Sequence, residues 1–237
     1  MGLSGACPGT LLTQVAAGVS AGYYALLGAV LGGIVYTGFL SGAVARRKAQ
    51  KGLKTEPSTF DRQLGVSRAT ASVLFQVACA GVVAVTTAYG PSAPEPKTLG
   101  LVGGLFIGGA QLFSIVTRRS MLGVSTSYEE AGSWFWWLLR GGSGPAPSSK
   151  NIVFASGLVG GAYALARLVP ELVEAPVAEV SPVLATLGGA LMVIGSRLAG
   201  GCTSGHGISG MSLLSTSSMI TIASTFAAGI LTVYVAH

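Results

Sequence analysis

Charge is what this chain has least of. Asp, Glu, Lys and Arg make up 9% of 237 residues, where a soluble domain carries about a quarter. That excludes an ordinary soluble fold. With only eight acidic side chains, no carboxylate stands out at membrane depth as a proton site. Cysteine is equally sparse: Cys7, Cys79 and Cys202 are far apart and form no CxxC pair, which argues against a disulfide framework or a structural zinc site. Basic residues do not alternate with aromatics, so no nucleic-acid partner is expected. The N-terminus lacks a basic stretch followed by an uninterrupted apolar run, so no signal peptide is visible.

What the chain does have is hydrophobicity and glycine. Half of it is hydrophobic, mean hydropathy is +0.65, and there are 36 glycines, as expected where helices approach closely in lipid. The chain reads as an all-α, polytopic integral membrane bundle in which residues 1–237 form a single domain. Helix-length apolar segments predict six spans, near 22–42, 69–89, 98–117, 152–169, 183–199 and 219–236, since about 20 residues cross the hydrocarbon core. Residues 10–18 and 209–217 are too short to span and read as re-entrant half-helices. Residues 120–131 are a third half-helix or a lining loop. The third span carries Gly103, Gly104, Gly108 and Gly109 at a spacing that favours helix packing. Trp134, Phe135, Trp136 and Trp137 fit an interfacial anchor. Loops 43–68 and 118–150 hold eleven of the fourteen basic residues, and the loop 170–182, with Glu171, Glu174 and Glu179, holds none. Both basic loops are therefore expected on the cytoplasmic side, of the cell membrane in the simplest case.

Residues 200–210 (GGCTSGHGISG) form an apolar-flanked run with five glycines, a thiol and an imidazole. Glycines 205 and 207 argue against a regular helix there. Residues 2–10 (GLSGACPGT) echo it. Each run precedes a short helix and then a full span, so the two ends of the chain are pseudo-symmetric, which is a sequence pointer to a transporter binding site. Irregular backbone at membrane depth must line a cavity or be covered by protein, and a helix start there aims free N–H groups at anions. The candidate starts are Pro8 and Ser209. A thiol beside each adds a soft, weak donor suited to a sulfur-bearing anion.

Each candidate also has a plainer role. Cys7 and Cys202 can act as small hydrophobes, although their matching turns favour a role in a path. Cys79, within an ordinary apolar span, fits packing better than a path. His206 follows Cys202 by four residues, but with no further ligands visible it fits a neutral donor that positions the turn better than a metal site. Arg197 lines a path, makes a structural pair, or snorkels to the interface. Glu129 and Glu130 read as a solvated face. Gln76 and Gln111 line a path or bond a neighbouring helix.

Residues 201–210 (GCTSGHGISG) and 5–10 (GACPGT) resemble signature motifs of the YeeE/YedE sulphur-transport family of thiosulfate-uptake membrane proteins. The resemblance extends over most of the chain, including residues 118–124 (RRSMLGV). It implies a pseudo-symmetric bundle whose short helices meet near mid-membrane, and a central path in which thiols pass thiosulfate along by S–H···S hydrogen bonds. By motif match Cys7 and Cys202 carry over to this path; the residues of the two turns and their flanks expected to line it are Gly5, Pro8, Arg197, Gly201, Ser204, Gly205, His206 and Gly207. No catalytic residue, cofactor or metal is implied. The partners implied are the sulfur anion and the lipid bilayer, with a homo-oligomer or partner subunit left open. Family members usually carry spans ahead of the first motif, so the chain is expected to lack N-terminal spans of the full-length fold. The competing expectation is a membrane sulfurtransferase or redox component that carries persulfide on Cys202.

Overall fold

A computed structural model describes residues 2–50, 59–90, 100–170 and 180–236. The described residues are helical, with a single isolated bridge between Thr59 and Ser215. The helices are α1 Thr10–Ala16, α2 Ser20–Val35, α3 Ser41–Gln50, α4 Phe60–Leu64, α5 Arg68–Tyr89, α6 Gly100–Arg118, α7 Ser125–Leu139, α8 Lys150–Leu168, α9 Pro182–Leu198 and α10 Thr216–Ala236. A π-helical turn, Tyr36–Leu40, joins α2 to α3, and a second, Gly205–Gly210, lies between α9 and α10. Four helices are long and apolar enough to cross a bilayer: Ser20–Arg47, Arg68–Tyr89, Lys150–Leu168 and Thr216–Tyr234. Two apolar helices are shorter, Val102–Arg118 and Pro182–Leu198. All six coincide with the expected spans. The turn expected after residue 90 and the acidic stretch 171–179 lie outside the described residues.

Small residues build the centre. On α2 the buried positions are Ala21, Gly22, Ala25, Gly28, Ala29, Gly32 and Gly33, an i, i+4, i+7 stripe on one side of the helix. Facing them on α9 are Ala185, Gly188, Gly189 and Val193. A Cβ at Gly28 would collide with the Thr186 carbonyl, and one at Gly189 with the Ala25 carbonyl. The two backbones therefore touch, which is how helices gain dispersion contact in lipid. Toward its C-terminal end the same stripe meets α7 in the same way: Gly33 lies on the Tyr128 carbonyl and Gly132 on the Gly33 carbonyl. Ala6, Leu11, Leu12, Val124 and Tyr128 complete a buried cluster with Ala25, Ala29, Ala185 and Val193.

Three expectations are revised. The glycines of α6 are not a helix seam among the described residues, because nothing stands within 4 Å of a Cβ at Gly103, Gly104, Gly108 or Gly109. Instead α6 engages the bundle through polar groups toward its C-terminal end, Gln111 and Ser114, with Arg118 lying 4.1 Å over the Phe154 ring. The aromatic run on α7 is divided. Trp136 turns inward, donating to the Ile34 carbonyl at 2.9 Å beside the first π turn, while Trp134 and Trp137 meet edge to face with centroids 5.2 Å apart and donate to the Ser148 and Gly144 carbonyls. Finally, the second short helix begins at residue 203 rather than at Ser209 and runs to 212. Glycine is tolerated inside it because the π geometry takes up the looseness that glycine introduces.

Candidate functional site

The two cysteine runs fold on one plan. Helix α9 ends in a Schellman motif: Gly200 holds φ +86°, the Gly201 N–H donates to the Ser196 carbonyl at 2.9 Å and the Gly200 N–H to Arg197 at 3.4 Å. Cys202 follows, and its carbonyl accepts the first bond of the next helix, from the His206 N–H at 2.8 Å. At the other end of the chain Gly5 holds φ +62°, and the Cys7 carbonyl accepts from the Leu11 N–H at 2.9 Å. Each short helix also closes with a Schellman turn. Gly18 is the left-handed residue in one, where the Val19 N–H reaches the Gln14 carbonyl. Leu214, at φ 56°, is its counterpart, where the Ser215 N–H reaches the Gly210 carbonyl. The next helix starts two residues later in both. Cys7 to Gly18 is eleven residues and Cys202 to Leu214 is twelve. The second π turn absorbs the extra residue, since a π bulge amounts to a one-residue insertion in a helix.

The thiols differ in their surroundings. Cys202 is buried, 4% exposed, with its sulfur 3.0 Å from the Ser204 hydroxyl. The Gly205 N–H and the hydroxyl and backbone N–H of Ser125, at the start of α7, also face it. Cys7 is half-buried and accepts from Thr10, from the N–H at 3.3 Å and the hydroxyl at 3.2 Å. Cys79 is exposed on α5, as is Gln76.

A cavity of about 640 Å³ lies between the N-terminal segment, α9, the second cysteine turn and α10. Of the residues singled out in the sequence, Pro8, Gly201, Cys202 and His206 line it. Gly5, Cys7, Arg197, Ser204, Gly205 and Gly207 do not. The described lining carries no Asp, Glu, Lys or Arg; its polar groups are thiol, imidazole and hydroxyls such as Ser196, Thr203 and Thr225. His206 is held by a 2.9 Å bond between Nδ1 and the Ser218 hydroxyl of α10. Its ring fits because Gly201 carries no side chain, a Cβ there falling 3.0 Å from Nε2, and its partner Ser218 fits because Gly210 carries none, a Cβ there colliding with the Ser218 hydroxyl. Among the described residues no three His, Cys, Asp or Glu side chains gather as a metal site would need.

Arg197 makes a structural pair. Its Nε lies 2.9 Å from the Glu129 carboxylate, and Nη1 donates to Ser125 and Thr126 at 3.3 and 3.1 Å. Glu129 is thus no solvated face, and neither is Glu130. That carboxylate, 7% exposed, accepts from the Asn151 and Ile152 N–H groups and the Asn151 amide at 2.8–3.0 Å, capping α8. Gln111 bonds a neighbouring helix, accepting from Ser209 and donating to Ser212. Ser125 and Tyr128 go unmarked in the sequence, and Glu130 reads there as a solvated face, because their partners lie more than 20 residues away and no local spacing marks such pairs.

An all-helical bundle with several membrane-length apolar helices and two interrupted, cysteine-capped helix pairs defines an integral membrane protein of transporter type. The chain belongs to the Sulphur transport family, whose model matches residues 1–231; its role is in sulfur transport. No curated protein matches the chain.

Proposed function

We propose that the protein is a permease for thiosulfate or a similar sulfur-containing anion, passed along by the Cys202 and Cys7 thiols. The observation that carries this reading is the uncharged cavity that ends on Cys202 at the start of an interrupted helix. A doubly charged oxyanion leaving water needs donors to replace its hydration. On the described cavity wall at Cys202 these are the thiol S–H, the Ser196, Thr203 and Thr225 hydroxyls and the His206 ring, while Ser204, Ser125 and the Gly205 N–H surround the sulfur itself. The terminal sulfur of thiosulfate is soft and polarisable, a better match for a thiol than for an ammonium group. Residues 1–237 act as a single membrane domain in the cell membrane, with loops 43–68 and 118–150 cytoplasmic.

Uptake of radiolabelled thiosulfate by proteoliposomes tests the proposal. Cys202→Ala should abolish uptake and Cys79→Ala should leave it unchanged; undiminished uptake in the Cys202 variant overturns the relay. Competition by sulfite and sulfate ranks the anions. Intact-mass analysis after treatment with a sulfide donor addresses the enzyme alternative, in which stable sulfur remains on Cys202.

A further inference from the structure

The cavity reaches Pro8 and Cys202 and stops short of Cys7. At that boundary stands Tyr128, whose hydroxyl donates to the Pro8 carbonyl at 2.9 Å. The side chain is 3% exposed, and its ring lies in the apolar cluster with Ala6, Leu11 and Val124. Tyr128 is one turn after Ser125, so the two share a face of α7, and Ser125 touches Cys202. Contacts thus run from Cys202 to Ser125, along α7 to Tyr128, and through Pro8 to the adjacent Cys7. Both sulfurs lie within electrostatic reach of the phenol.

The backbone around Tyr128 has no room to shift. Its carbonyl sits where a Cβ on Gly33 would be, and one turn on, Gly132 touches the Gly33 backbone. Helix α7 is therefore fixed on α2, so an opening at this point falls to the side chain rather than to the backbone. Resting on the permease reading above, we propose that Tyr128 is the gate between the two thiols and a selectivity residue of the path. With its hydroxyl on the Pro8 carbonyl, the ring closes the route from the cavity to Cys7. Rotation of the side chain exchanges that carbonyl for an oxygen of the anion. A buried O–H cannot be left without an acceptor, and a charged acceptor makes the stronger bond. The anion itself thereby supplies the driving force for opening. A neutral solute of the same size offers at best an acceptor no stronger than the carbonyl it replaces.

The test uses the full chain in proteoliposomes, carrying Cys79→Ala and a single remaining path thiol. An impermeant methanethiosulfonate is added outside or trapped inside. With Tyr128 intact each thiol should react from one face of the membrane, and in Tyr128→Ala from both. Tyr128→Phe keeps the ring and loses the donor, so its labelling should follow the intact protein. Its KM for thiosulfate, measured with both path thiols in place, should rise roughly tenfold with little change in maximal rate, the loss expected for one hydrogen bond to a charged group. One-sided labelling in Tyr128→Ala, or an unchanged KM in Tyr128→Phe, overturns the gate. Should the alanine variant not fold, the phenylalanine KM decides. Labelling sidedness needs no transport, so intact protein that takes up no thiosulfate overturns the permease reading and leaves the gate to the labelling result.

Discussion

At the scale of single residues, the clearest energetic statement concerns Glu130. A carboxylate can accept from all three of its donors at once, whereas glutamine must turn an NH₂ toward at least one N–H. Glu130→Gln should therefore cost on the order of 2 kcal/mol, seen as a lower thermal midpoint in detergent; an unchanged midpoint would show that the cap is dispensable. His206 is a milder case. Its bond to Ser218 ties the second short helix to α10, and His206→Ala should lose about 1 kcal/mol while Gly201→Ala, which crowds the same ring, should perturb it from the other side. Which residues of the two glycine runs carry chemistry and which make room is legible only in three dimensions. Gly200 ends a helix, Gly201 clears space for an imidazole and Gly210 for the Ser218 hydroxyl that holds it, and Cys7 and Cys202 each present a thiol. In one dimension they are two unusual strings.

At the scale of elements, identical letters carry opposite consequences. Gly28 on α2 touches the α9 backbone, while Gly108 on α6 faces open space. Gly28→Ala should destabilise by about 1–3 kcal/mol through overpacking. Gly108→Ala should be neutral or stabilise by roughly 0.5–1 kcal/mol through reduced chain entropy. Chemical denaturation of the two variants side by side reads the contrast directly. Leu214 poses a similar contest. Its left-handed backbone costs a non-glycine residue about 1–2 kcal/mol, yet the side chain is 3% exposed and truncating a buried leucine costs about 2–5 kcal/mol. Leu214→Gly should therefore be a net loss. The six long apolar helices and their order were readable from apolar length, and the boundaries of α5, α8 and α9 fell within two residues of expectation. Helices α3 and α4, however, lie in what reads as the basic loop 43–68, and α7 in what reads as a half-helix or lining loop. The start of the second short helix was not readable either, because a rule that glycine breaks helices has no place for a π turn. Nor was the partner of each glycine stripe, since periodicity marks a face and does not say what meets it.

At the scale of the whole molecule, α7 is the hub: it packs on α2, holds Arg197 of α9 through Glu129, Ser125 and Thr126, and caps α8 through Glu130. Arg197→Gln should loosen the α7–α9 joint by about 1–2 kcal/mol, less than a fully buried pair would lose, because a third of the Glu129 side chain is accessible. Removing both charges should recover part of that loss. The proposed topology has its own check: single cysteines introduced at Ser58 and Ser143 should label from the same face of the membrane. That sidedness is an expectation drawn from the Lys and Arg bias of the two loops. The Arg197 pairing is not legible in the sequence, because it joins residues 68 positions apart.

With Arg197 neutralised by Glu129, the described walls of the cavity hold no fixed cation to cancel the charge of whatever passes. A divalent anion that crosses without a companion ion carries its whole charge through the transmembrane voltage, about 2.3 kcal/mol per charge for each 100 mV. The protein then behaves as an element of an electrical circuit. An inside-negative potassium diffusion potential, imposed with valinomycin, should slow thiosulfate entry into vesicles, and reversing its sign should speed it.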